Sequence, residues 1–241
     1  MKAMIFAAGR GTRLKPITDK IPKALVSVVG KPLLQHTIEK LKQYGFNEII
    51  INVHHFADQI IEFVLSNNSF NIKIEFSEES ELLDTGGGIK KASYFFNDNK
   101  PFLVHNVDIL SNINLNELYL FHKNSNSAAT LACSVRQTSR YLLFNENNML
   151  KGWINKSNGQ TKSAVPNFNP VNYKELAFSG IHVLNPSLIN EMNEFPDKFS
   201  IIDFYLSICY HKPIIAYNPL KTRMIDVGKP ESLKEANKFL L

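Results

Sequence analysis

The chain opens on an apolar run that stops at glycine. Residues 2–8 (KAMIFAA) read as a short buried strand, and Gly9-Arg10-Gly11-Thr12-Arg13-Leu14 comes directly after it with no linker between them. Glycine here lets the backbone turn tightly and bring bare N–H groups close to an anion. The dinucleotide fingerprint would need a third glycine where Leu14 stands, and a P-loop would need Gly-Lys-Ser/Thr. Taken alone, the two glycines are weak evidence for a phosphate cradle and fit a plain strand-to-turn junction better.

Residues 33–105 alternate as the elements of an α/β sheet do. Leu33–Tyr44 places Leu34, Ile38 and Leu41 at helical spacing, with Gly45 as a stop. Glu48–Val53 (EIIINV) is β-branched and strand-like, and Phe56–Leu65 is again helical. Phe70–Phe76 alternates apolar and polar residues, the period of a half-buried strand. A loop over Asp84–Gly88, a short helix and the strand Phe102–His105 come next. This order predicts a mixed, mostly parallel Rossmann-like sheet with helices on both faces. Ligands then bind beyond the carboxyl ends of the strands, which brings together the turn after Ala8, the loop 77–88 and the segment Asn106–Ile109. The second half is less regular. Ala128–Val135, Tyr141–Phe144 and Phe178–Leu184 read as strands, Ile201–Cys209 and Pro230–Leu240 as helices, and Ser157–Asn172 as a polar insertion. Without an internal repeat or linker, residues 1–241 are expected to form a single domain.

Composition removes several function classes. The formal net charge is +5, but the basic residues are spread along the chain, which argues against nucleic acid and suits small anionic substrates. No apolar run approaches the ~18 residues of a spanning helix, so no membrane partner is expected. Two cysteines in apolar surroundings, Cys133 and Cys209, exclude a disulfide framework, and with no leader segment the expected location is the cytoplasm.

Residues 7–32 decide between the two readings of the opening turn. They run AAGRGTRLKPITDKIPKALVSVVGKP, which resembles the signature A-A-G-x-G-T-R-L-x-P-x-T-x-x-x-P-K-x-L of the sugar-1-phosphate nucleotidylyltransferases. The resemblance implies that Ala7, Ala8 and Gly9 hold a nucleobase and that Gly11, Thr12 and Arg13 hold phosphates. It makes Arg13 and Lys23 catalytic, the partners a nucleoside triphosphate and a sugar 1-phosphate, and Mg²⁺ the cofactor. The residue types suit that chemistry. Arg13 offers a planar fork for the β- and γ-phosphates, and Lys23 a compact charge for the attacking and α-phosphates. No general base is required, because a phosphate monoester with a second pKa of about 6 is already mostly dianionic at neutral pH.

By the same resemblance Asp108, in HNVDIL, and Asp226, in MIDVGKPESL, are the two Mg²⁺ ligands. Val107 stands where relatives usually carry glycine. Asp84-Thr85-Gly86-Gly87-Gly88-Ile89 resembles the family's base-reading loop, placing Thr85, Gly86 and Gly87 on the nucleotide. Phe178-Ser179-Gly180-Ile181 resembles the sugar-contacting segment. Asn155-Lys156 stands where relatives often have Glu-Lys, so Lys156 is expected on the sugar phosphate. The runs IINVHHFADQI and LLDTGGGI resemble the short N-acetylmuramate-1-phosphate uridylyltransferase group, implying UTP and a role in cell-wall recycling. That group puts Asn52, and in one of two readings His54, on the sugar side with Asn155, Ser179 and Gly180. A GTP-dependent mannose-1-phosphate guanylyltransferase is the alternative. Longer relatives add a hexapeptide β-helix, nothing of which comes after Leu241, so no second acetyltransferase activity is expected. The oligomeric expectation is a monomer or small homo-oligomer. Two other classes stay in view. A silent nucleotide-sugar regulator would be expected to lose Arg13, Lys23 or a metal aspartate, and a glycosyltransferase would want a D-x-D motif of which Asn106-Val107-Asp108 is half.

Overall fold

The computed structural model describes residues 1–240. In chain order the strands are β1 (Lys2–Phe6), β2 (Ser27–Val28), β3 (Lys31–Pro32), β4 (Glu48–Val53), β5 (Lys73–Glu78), β6 (Phe102–Asn106) and β7 (Ile109–Ser111). They continue as β8 (Ala129–Ser134), β9 (Arg140–Phe144), β10 (Leu150–Asn155), β11 (Gln160–Lys162), β12 (Lys174–Leu184), β13 (Ile214–Tyr217) and β14 (Met224–Asp226). The helices are α1 (Leu33–Gln43), α2 (Ala57–Ser66), α3 (Asp84–Lys91), α4 (Leu115–Asn124), α5 (Ser187–Met192), α6 (Ile201–Ile208) and α7 (Pro230–Leu240).

One large sheet organises the molecule. Its parallel block runs β6-β1-β4-β5, and β12 extends it antiparallel to β6. Beyond β12 the sheet forks, to β9, β10 and β11 on one branch and to β8 and β13 on the other. Period-two alternation feeds two cores. Ala3, Ile5, Ile49, Ile51 and Val53 face α1, where Leu34, Ile38 and Leu41 are fully buried. Met4, Ile50, Phe102 and Val104 face the other layer, with Ile89 of α3 and Phe204 and Tyr205 of α6. Local chemistry starts several helices: the Asn114 side chain accepts from the amides of Asn116 and Glu117 at the start of α4, and the Ser200 hydroxyl from Ile202 at the start of α6.

Three sequence expectations are corrected. The fourth parallel strand begins at Lys73, because Asn68–Asn71 forms a tight turn of positive φ angles that returns Phe70 against Phe63. The glycines expected in a loop over 84–88 are the first turns of α3. Inside the polar stretch 157–172 lies an exposed edge strand, β11, which carries no apolar face to read. Among the described residues no helix is long and apolar enough to cross a membrane.

Candidate active site

The carboxyl ends of β1, β4, β5 and β6 open on one cleft of about 510 Å³. Phe6 through Gly9, Gly11, Thr12 and Arg13 form one wall, Asn52, Glu79, Asp84 and Thr85 a second, and Asn106–Asp108 with Gly228 a third. The opening loop is held closed on itself. Gly11 takes φ +63°, and a Cβ there would come within 2.9 Å of Thr18 and 3.0 Å of Lys23. The Thr18 hydroxyl donates to the Gly11 carbonyl at 2.8 Å. Pro22, in an extended conformation, then leads Lys23 into a short 3₁₀ turn whose ammonium is buried against Asp108 as an ion pair.

Asp226 arrives from the far end of the chain. Strand β14 pairs antiparallel with β7, which sets Asp226 opposite Ile109, and the Val227 amide donates to the Asp108 carbonyl at 2.8 Å. Arg13 closes the group. A Cβ on Gly228 would stand 2.7 Å from an Asp226 carboxylate oxygen and 2.8 Å from an Arg13 nitrogen, so both side chains approach through the space that glycine leaves. Burial, and then the charge of Asp108, push the Asp226 carboxyl above the ordinary carboxylate range, while Lys23, Arg13 and Arg136 draw it back. Two carboxylates that repel each other beside a phosphate-sized cleft suit a hard divalent cation. Among the described residues no third His, Cys, Asp or Glu joins them. That donor set matches Mg²⁺, which takes one or two carboxylates and completes its shell with substrate phosphates.

The nucleotide end departs from expectation in its details. The amides of Ala7 and Ala8 both donate to Asn52 Oδ1, at 3.0 and 3.2 Å, so these two N–H groups are engaged by protein. Asn52 in turn donates to Glu79, whose other oxygen accepts from the Leu83 amide at 3.0 Å. Asn52, expected on the sugar side, lines the cleft and fixes the backbone of Ala7 and Ala8. Thr85 lines the cleft and its hydroxyl accepts from the Ile201 amide. Gly86 and Gly87 do not line the cleft. A Cβ on Gly86 would meet the Phe199 ring at 2.2 Å and one on Gly87 the Asp197 carbonyl at 2.0 Å. These glycines admit the segment before α6 rather than a base. His54 bonds the Glu79 carbonyl at 2.8 Å and stands outside the cleft lining.

The expected sugar residues separate. Ser179 and Gly180 lie in a bulge of β12, where Gly180 has φ +68° and a Cβ would stand 2.7 Å from the Asn106 amide nitrogen. The Ser179 hydroxyl is buried without a hydrogen-bond partner among the described residues. Asn155 lines a second cavity, of about 620 Å³, and accepts from Ser157. Lys156 lines neither cavity and is tied to Glu175 at 2.5 Å. The carboxyl-end rule brought the segments of Glu79 and Asn106 to the cleft without singling out either residue, while Lys198 and Gly228 were not expected there; Lys198 carries no local signal.

Comparison with known proteins places the chain in a family. The chain is 30% identical over 235 residues to a mannose-1-phosphate guanyltransferase of Aspergillus oryzae, covering 96% of this chain and 62% of that protein. It is 35% identical over 143 residues to a UTP–glucose-1-phosphate uridylyltransferase of a Synechocystis strain, covering 54% and 36%. The chain thus spans about three fifths of the length of the guanyltransferases it matches. Among solved structures, HddC from Yersinia pseudotuberculosis complexed with GMP-PN superposes with a TM-score of 0.78 at 27% identity, over 100% of this chain and 99% of that one. A putative glucose-1-phosphate thymidylyltransferase from Bacillus anthracis shares the fold with a TM-score of 0.83 at 19% identity, over 99% and 94%. The model of the nucleotidyl transferase family matches residues 2–241, and the chain belongs to that family.

Proposed function

We propose that the protein is a Mg²⁺-dependent sugar-1-phosphate nucleotidylyltransferase. An oxygen of the sugar phosphate attacks the α-phosphorus of a nucleoside triphosphate. The new P–O–P bond forms as the bond from the α-phosphorus to the bridging oxygen breaks, and pyrophosphate leaves with that electron pair. The observation that carries this reading is the meeting of Arg13, Lys23 and Asp108 in one glycine-walled cleft, with Asp226 brought beside Arg13 at Gly228, which also lines it.

The roles follow from charge and shape. The amides of the Gly11 turn and the Arg13 fork receive the β- and γ-phosphates. Lys23 leaves Asp108 to neutralise the charge that gathers between the two phosphates as they meet. Asp108 and Asp226 would hold Mg²⁺, which supplies electrophilic stabilisation of the phosphate oxygens. Catalysis then rests on in-line positioning and charge, as phosphoryl-type transfers do.

For the substrates, UTP with N-acetylmuramate 1-phosphate is the reading supported by the runs IINVHHFADQI and LLDTGGGI. GTP with mannose 1-phosphate is a second reading, favoured by the names of the 30% identical relatives and by Glu79. Its carboxylate oxygens each keep a lone pair on the nucleotide wall, and guanine offers paired N–H donors that uracil lacks. Pyrophosphate release with UTP, GTP, dTTP and CTP, each against four sugar 1-phosphates, tests both levels. No release with any pair rejects the reaction class. A tenfold preference for GTP with mannose 1-phosphate rejects the uridylyl reading alone.

A further inference from the structure

Beyond β8 lies a cation that the roles above leave unused. Arg136 is half-buried. One terminal nitrogen of its guanidinium donates to the Phe178 carbonyl at 3.2 Å, while its Nε is enclosed and has no hydrogen-bond partner among the described residues. An enclosed N–H left unpaired is costly, and the cost is removed when a ligand supplies the acceptor. Arg136 also lines the second cavity, whose acidic residue Asp203 is taken by Lys162 at 2.7 Å. That cavity is lined by residue types that suit a sugar, Trp153, Phe178, Asn155 and Asn158, with the Lys162 ammonium over the Trp153 ring.

Arg136 lines the second cavity, and its contacts lead on to a wall of the first cleft. Its carbonyl partner, Phe178, precedes the Ser179–Gly180 bulge, and Gly180 abuts Asn106, a wall of the first cleft. On the other side, Ser134 at the end of β8 donates to the Met224 sulfur at 3.8 Å, two residues before Asp226. A guanidinium so placed stands between the sugar cavity and the paired carboxylates. Lys156, by contrast, is held by Glu175 away from both.

We propose that Arg136 anchors the phosphate of the acceptor, the role that family resemblance gave to Lys156. The inference rests on the nucleotidylyl reading for its substrate. The sugar lies in the second cavity, and its 1-phosphate sits on the Arg136 fork with an oxygen directed toward Lys23 and the first cleft. A planar fork suits this better than an ammonium, because it fixes the phosphate's orientation as well as its position.

The test compares R136A, R136K, R136Q and K156A in the full chain, with initial rates for the best pair from the substrate matrix. R136A is expected to raise the acceptor KM about 10- to 100-fold, the range for losing a hydrogen bond to a charged group. The triphosphate KM should stay within about twofold, R136K should recover part of the loss, and K156A should shift the acceptor KM by less than about threefold. An unchanged acceptor KM in R136A, or a larger loss in K156A, overturns the proposal. If R136A does not fold, R136K and R136Q decide by the same ratio of KM values, provided their melting temperatures match the wild type. Calorimetric binding of mannose 1-phosphate and N-acetylmuramate 1-phosphate separates this proposal from the reaction class. Binding lost in R136Q upholds the anchor even if no pair turns over, and equal binding in R136Q and wild type overturns it.

Discussion

The Lys23 ammonium is ion-paired with the Asp108 carboxylate, the two side chains being only 11% and 19% exposed. On the proposed function the pair would keep in one place a cation for the phosphates and an anion for the metal. Asp108→Asn removes the anion without changing shape, so turnover should fall by about 10²–10³-fold or more while the melting temperature holds. Asp226→Asn should do the same. Full activity in either variant, with kinetics insensitive to EDTA, would reject the metal assignment.

Lys23→Ala should act on kcat, because its charge is used most when the two phosphates meet. Steady-state rates over both substrates separate the cases. A rise confined to the sugar-phosphate KM, with kcat intact, would make Lys23 a binding residue only.

Asn52 supports the nucleotide wall by accepting from the Ala7 and Ala8 amides. Asn52→Ala should therefore raise the triphosphate KM by about tenfold and leave the acceptor KM nearly unchanged, a loss comparable to one or two hydrogen bonds. The opposite pattern would return Asn52 to the sugar side.

Gly87 is required by backbone, since its absent Cβ would lie 2.0 Å from the Asp197 carbonyl. Gly87→Ala must push the segment before α6 away, and overpacking of this kind costs about 1–3 kcal/mol. Urea unfolding measures it. A variant as stable as wild type would mean that the segment yields freely.

Burial lowers Lys40 from 10.5 to about 8, with its ammonium donating to Ser111 at 2.6 and 2.8 Å. Between those two values the unfolded chain binds the proton and the folded chain has released it. Stability on account of this residue therefore rises with pH from about 8 to about 10.5, by on the order of 2–3 kcal/mol. Thermal melts of wild type and Lys40→Met across that window should diverge with this sign; parallel curves would refute it.

The first half of the fold was legible because its signals are local. Leu34, Ile38 and Leu41 have helical spacing and are buried, and EIIINV can hardly be anything but a central strand. Gly86 and Gly87 misled because nothing local says that Phe199 and Asp197 fill the space beside them. Strands β7 and β14 are three residues each, too short to carry a pattern, so the meeting of Asp108 with Asp226 was implied only by resemblance. Lys156 and Arg136 differ for a similar reason. Which of the two lines the second cavity depends on Glu175 and on the Phe178 carbonyl, contacts across strands that no spacing encodes.

Because β14 closes on β7 from the far end of the chain, the order of synthesis matters. By the time Tyr217 has left the ribosome every strand of the large sheet exists, yet Asp226 is still to come. Domains fold from the amino terminus as they emerge. A nascent chain can thus acquire the walls built by β1, β4, β5 and β6 and most of its core before Asp226 is in place beside Asp108.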